Sequence, residues 1–73
     1  MSRQQQIISW IKEQLSEAPG QTMERKRIWW KFRVSDICTE KDNSASVSVA
    51  LKTLASRGEV EILVDDNKKV RLR

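Results

Sequence analysis

Seventy-three residues with one cysteine (Cys38), no histidine and two glycines leave room for one small domain, residues 1–73, that neither a disulfide nor a structural zinc site can staple. Fourteen basic residues against ten acidic ones give a net charge of +4, which suits an acidic partner, nucleic acid before anionic membrane. The inventory argues against an enzyme, since it holds no imidazole base, no glycine-rich phosphate loop and no His–carboxylate metal cluster. No metal, cofactor or small-molecule substrate is therefore expected, and Asp65-Asp66, beside Asn67 and Lys68, reads as a turn.

Leu, Ile, Val and Phe supply 18 of the 73 residues, above the roughly 20% level below which a charged chain stays disordered. No apolar run exceeds three residues, as in Ile62-Leu63-Val64, which is too short for a membrane span or a signal-peptide core. With its lone cysteine, the chain is expected in the reducing cytoplasm, near the nucleoid if it binds DNA, and without a membrane partner.

From Ser2 to Glu17, Ile7, Ile8, Ile11, Leu15 and Ala18 form one helical stripe with Trp10 at its margin. Ser2 suits the N-cap, and Pro19-Gly20 stops the helix. Gln21 to Arg27 has no clean period and reads as a loop. Ile28 to Val34 alternates, with Ile28, Trp30, Phe32 and Val34 on one side and Trp29, Lys31 and Arg33 on the other, so a half-buried strand is predicted. The rival reading is a helix over Glu24 to Phe32. A short second helix follows, capped by Ser35 or Asp36 and reaching Lys41, with either Ile37 and Cys38 or Ile37 and the stem of Lys41 inward.

Asn43 to Arg57 is the clearest helix, with Val47, Ala50, Leu51, Leu54 and Ala55 on one face, Asn43 or Ser44 as cap and Gly58 as stop. Val60, Ile62 and Val64 alternate, a turn follows, and Val70 and Leu72 alternate again, which predicts a β-hairpin. Helix, short strand, short helix, amphipathic helix and hairpin is the element order of an α+β winged helix-turn-helix. It has three helices and a small antiparallel sheet, with the C-terminal hairpin as wing. The strand from Ile28 to Val34 would close the sheet against the wing.

Val34-Ser35-Asp36-Ile37 and the run from Ala50 through Arg57-Gly58-Glu59 to Glu61 resemble winged-helix transcriptional regulators of bacteria and phages. The similarity is closest to the DNA-binding domain of the SOS-response repressor, through Arg3-Gln4-Gln5, Leu51, Leu54-Ala55, Gly58, Glu61-Ile62 and Arg71-Leu72. Small pilus-operon regulators share the layout. The chain departs from the repressor pattern in Gln21 to Arg33, which is longer, more basic and more aromatic. It departs again at Ala45, Ser48 and Val49, where the repressor carries polar and acidic residues. The resemblance implies double-stranded DNA as ligand and transcriptional control as role, with a weak homodimer or a second DNA-bound protein alongside.

On that reading, helix 3 enters the major groove with Ser44, Ala45, Ser46, Ser48, Val49, Lys52, Thr53 and Ser56 outward. Serines donate or accept, Ala45 and Val49 meet thymine methyls, and Lys52 reaches a guanine edge or a phosphate. The middle of this face lacks Arg, Asn and Gln, which predicts modest discrimination assisted by DNA shape. Arg25, Lys26 and Arg27, with Lys68 and Lys69 at the wing, would hold phosphates, and Ser35 would meet one at a helix start. Lys31, Arg33, Arg71 and Arg73 would form a basic sheet face.

A protein-interaction module is the alternative, with outward-facing Trp29, Lys31 and Arg33 as its anchor. Recognition of double-stranded RNA or left-handed DNA by shape is a third. Trp30, Phe32 and Cys38 read as core.

Overall fold

The computed structural model describes residues 2–63 and 68–73. Helix α1 spans Arg3–Glu17; Ser2 Oγ accepts from the Gln5 N–H and so satisfies one orphan donor of the first turn. Its buried stripe is Ile7, Ile8, Ile11 and Leu15, as the period predicts. A single 3-10 turn, Pro19–Gln21, reverses the chain, with Gly20 at φ 64°.

The segment that follows departs from the sequence reading in two ways. Strand β1 is Thr22–Glu24, inside the expected loop, and Arg25–Arg33 is helix α2, close to the rival helix over Glu24 to Phe32 and in place of the strand from Ile28 to Val34. Ile28 and Phe32 lie on the inner face under either period, being four residues apart. The tryptophans decide it: in the helix Trp29 turns toward the core and Trp30 toward water.

The expected helix from Ser35 to Lys41 is a succession of turns, closed by Ser35 N–H to the Phe32 carbonyl, Cys38 N–H to that of Ser35, and Asp42 N–H to that of Thr39. Ile37 and Cys38 pack on the core, yet nothing apolar repeats one turn later, and one isolated turn does not repay its nucleation cost.

Helix α3, Ser44–Ser56, opens on a reciprocal cap. Asn43 Oδ1 accepts from the Ala45 N–H at 2.9 Å, and Ser46 Oγ accepts from the Asn43 N–H at 3.3 Å. The helix closes through Gly58 at φ 74°, where the Gly58 N–H bonds the Ala55 carbonyl and the Glu59 N–H bonds that of Leu54. That paired closure needs a left-handed residue, which glycine supplies without a Cβ penalty.

Strands β2, Val60–Leu63, and β3, Lys69–Leu72, pair antiparallel with Ile62 opposite Val70. β1 adds to the other edge of β3 with Met23 opposite Val70, giving the order β1-β3-β2. The expected turn at Asp65-Asp66-Asn67, and Val64 before it, lie outside the described residues. The α1-β1-α2-α3-β2-β3 order with this sheet is an α+β, winged-helix-like topology, with α2 and β1 placed earlier than expected. One core holds it together: the α1 stripe, Ile28 and Phe32 of α2, the Val47/Ala50/Leu51/Leu54 face of α3, and Met23, Val60 and Val70 of the sheet. No described helix is long and apolar enough to cross a membrane.

Candidate nucleic-acid interface

Nine residues of α2 carry Arg25, Lys26, Arg27, Lys31 and Arg33 and no acid. Lys31 and Arg33 lie in its last turn, where cations complement the helix dipole. Arg25, Lys26 and Arg27 lie in its first turn, where three cations oppose the dipole and cost a few tenths of a kcal/mol each or more. Glu24, at the N-cap, is the one acid set against the three, and a local rule broken this way is a mark of a functional surface.

Topology brings that first turn to the start of α3 and to Lys68, ahead of β3. The Arg25 N–H donates to the Lys68 carbonyl at 3.2 Å, and the Arg25 guanidinium donates to Ser48 Oγ. Between them lies an open cleft of about 330 Å³, lined by Arg25, Lys26, Ser44, Ser48 and Lys68 over a floor of Val47 and Trp29. Five of the expected DNA-contacting residues, from α2, α3 and the position ahead of β3, therefore share one concavity. Lys68 stands in the left-handed region at φ 54°, just before the strand.

Beside the cleft, α3 presents a ridge of Ala45, Val49, Lys52 and Ser56, all exposed, Val49 by 50%. Successive members are three or four residues apart, so they line up along the helix opposite its buried stripe. Small side chains flank the one long cation, Lys52.

Other expected contacts are engaged within the protein. Ser35 does not start a helix: it follows the end of α2, and its hydroxyl donates to the Phe32 carbonyl. Ser46 belongs to the α3 cap and also donates to Asp42 at 3.2 Å. Thr53 faces α1, accepting from Gln4 Nε2 at 2.9 Å and donating to the Val49 carbonyl. Arg27 and Lys69 line a different groove with Glu24, and Lys69 pairs with Glu24 in the β1–β3 register.

The expected basic sheet face is also absent: Lys31 and Arg33 are helical, and Arg71 and Arg73 both reach Glu61. Trp29 is half-buried and packs on Phe32 at 6.2 Å between ring centroids, whereas Trp30, expected in the core, is 57% exposed. Cys38 is half-buried against the core.

Sequence reasoning missed the two ion pairs that hold this surface in place. Arg3 donates to Asp42 and to the Ile37 carbonyl, tying α1 to the segment that delivers α3. The Arg3 guanidinium, and after it the Thr39 N–H, lowers the Asp42 carboxyl from 3.8 to about 2. Lys12 bonds Glu59 at 2.6 Å, fixing α1 to the turn before β2, and holds the Glu59 carboxyl below its usual range. Both pairs span more than thirty residues of sequence, and neither has a local pattern. Comparison with known proteins finds no matching family model, no matching curated protein and no matching solved structure.

Proposed function

We propose that this protein binds double-stranded DNA as a small transcriptional regulator, with α3 in the major groove and the basic cleft on the phosphate backbone. The carrying observation is the convergence of Arg25, Lys26, Ser44, Ser48 and Lys68 around one cleft beside the exposed ridge of α3. Lysine and arginine heads, hydroxyls and first-turn N–H groups are the donors that phosphate oxygens take, and phosphate contacts set register on a duplex. The cleft would grip the backbone on one side of the groove while Ala45, Val49, Lys52 and Ser56 meet base edges. The resemblance of the α3-to-β2 run to winged-helix regulators supports the same ligand, and the hairpin would serve as the wing.

The test is fluorescence anisotropy of a labelled mixed-sequence duplex across a salt series. Binding at micromolar protein, with log affinity falling by about 0.9 per phosphate neutralised for each unit of log salt, supports the reading. No binding at about 20 mM salt, where the electrostatic attraction is least screened, overturns it.

A further inference from the structure

The outer face of α2 carries Trp30, 57% exposed, with Val34 at the C-cap 69% exposed and Lys26, Arg27 and Arg33 on the same helix. The Arg33 guanidinium sits 5.7 Å from the centre of the Trp30 ring and 5.9 Å from that of Trp29, holding the outer indole in place. Lys26 and Arg27 line the groove beside Trp30, where Glu24 is the one acid. Among the described residues none of these three cations is in an ion pair. The α2 core face is already filled by Ile28 and Phe32, so folding makes no use of Trp30.

A complementary surface lies elsewhere on the same chain. Between α1 and the 34–43 connection runs a groove of about 480 Å³, with half-buried Trp10 and Ile37 as its floor and the exposed carboxylates of Glu13 and Asp36 on its rim. Neither carboxylate is in an ion pair among the described residues, while Arg3, which also borders the groove, is committed to Asp42 and the Ile37 carbonyl. One face thus offers an aromatic ring ringed by cations, and the other an apolar floor rimmed by anions.

We propose that the protein self-associates head to tail, Trp30 and Val34 of one copy entering the Trp10–Ile37 groove of the next, with Arg27 and Arg33 meeting Glu13 and Asp36. Tryptophan and arginine are the residue types that most often anchor interfaces, and apolar burial with opposite charges at the rim is the usual anatomy. The contact is small and two copies at +4 repel, so affinity is weak, with Kd on the order of 100 µM. Because the two surfaces differ, each pair keeps one free face and one free groove, and association continues beyond the dimer.

Sedimentation velocity without nucleic acid tests this, so its failure leaves the DNA reading standing, and failure of that reading leaves this one standing. The weight-average sedimentation coefficient of the wild type rises between about 10 µM and 1 mM, the range that brackets that Kd. Trp30→Ala and the double variant Glu13→Lys/Asp36→Lys each remain monomeric, with melting temperatures close to wild type because all three side chains are exposed. Mixed in equal amounts the two variants form a one-to-one dimer, since one retains the groove and the other the Trp30 face. A wild type monomeric throughout, a Trp30→Ala chain that associates like wild type, or a mixture that stays monomeric overturns the proposal.

Discussion

Arg3, in the first turn of α1, donates to Asp42, the residue ahead of the α3 cap, across thirty-nine positions of sequence. Asp42 is otherwise surrounded by donors from its own loop and from the first turn of α3, taking the Thr39 N–H at 2.8 Å, Thr39 Oγ1 at 3.0 Å and Ser46 Oγ at 3.2 Å. Its side chain is 7% exposed, so the carboxylate has exchanged most of its water for these partners. The 34–43 connection has no regular structure of its own, and this anion ties its end to α1, to Thr39 and to the first turn of α3.

Stability should therefore depend on acid in a defined window. Asp42 titrates at about 2 in the folded chain against 3.8. A depressed folded-state pKa contributes stability that is complete above the unfolded value and is lost as pH falls toward the folded one. The shift corresponds to about 2 kcal/mol, reduced to about 1 by the solvent that still reaches Arg3. Urea denaturation between pH 7 and pH 2 should show a loss of that size from about pH 4 downward. Asp42→Asn should be less stable at neutral pH and flatter below it; a variant with the wild-type acid limb would refute this account of the loop.

Ser46 separates cap from contact. It accepts from Asn43 and donates to Asp42, so Ser46→Ala removes both bonds and should cost about 1 kcal/mol in denaturant unfolding. Its duplex affinity, measured where the variant is fully folded, should match wild type. Ser44→Ala, at a cleft-lining hydroxyl, should show the reverse pattern, with stability kept and affinity reduced. Equal effects of both changes on affinity would return Ser46 to the interface.

Where the sequence reading succeeded and failed has a common physical root. The stripes of α1 and α3 are long enough for the helical period to separate from every alternative, and their caps, Ser2, Asn43 and Gly58, stand where they were expected. In α2 the run is nine residues and the inner pair is Ile28 and Phe32, a spacing that even and helical periods share. Trp29-Trp30 offers two equally apolar candidates for the next inward position, and the choice falls to Phe32, which takes Trp10 edge-on at 5.5 Å and Trp29 on its other side. β1 is only three residues long, and Met23 alone points inward, so its signal exists only opposite Val70 of β3. The cleft residues were legible as charges and hydroxyls. Which of them share a wall was not, because that depends on α2 starting at Arg25.

The cleft makes a quantitative claim about salt. Lys26 of α2 and Lys68, just ahead of β3, both line it, and on the proposed reading each would neutralise about one phosphate. Lys26→Ala and Lys68→Ala should each weaken duplex binding uniformly across sequences and lower the salt slope by about 0.9, and the double variant by about 1.8. Arg27→Ala removes the same charge from the neighbouring groove and should leave the slope nearly unchanged. Equal slopes for all three single variants would mean that net charge, rather than the cleft, drives binding.

Val49 supplies the finer test of how α3 meets a groove. It is apolar and 50% exposed in the middle of the ridge, with Ala45 one turn before it and Lys52 after. No core contact accounts for a branched hydrocarbon there, whereas a thymine methyl group is the one apolar feature of the major-groove edge. Burying a methyl is worth about 0.8 kcal/mol, or roughly fourfold in affinity. In a preferred site obtained by selection, replacing thymine with uracil at the contacted position should cost wild type about that factor. Val49→Ala should bind the thymine site more weakly and lose the distinction between thymine and uracil, as a double-mutant cycle requires of two groups in contact. Uracil replacement that weakens wild type and Val49→Ala equally at every position would place the methyl-reading surface elsewhere, and α3 would then lie in the groove on another face.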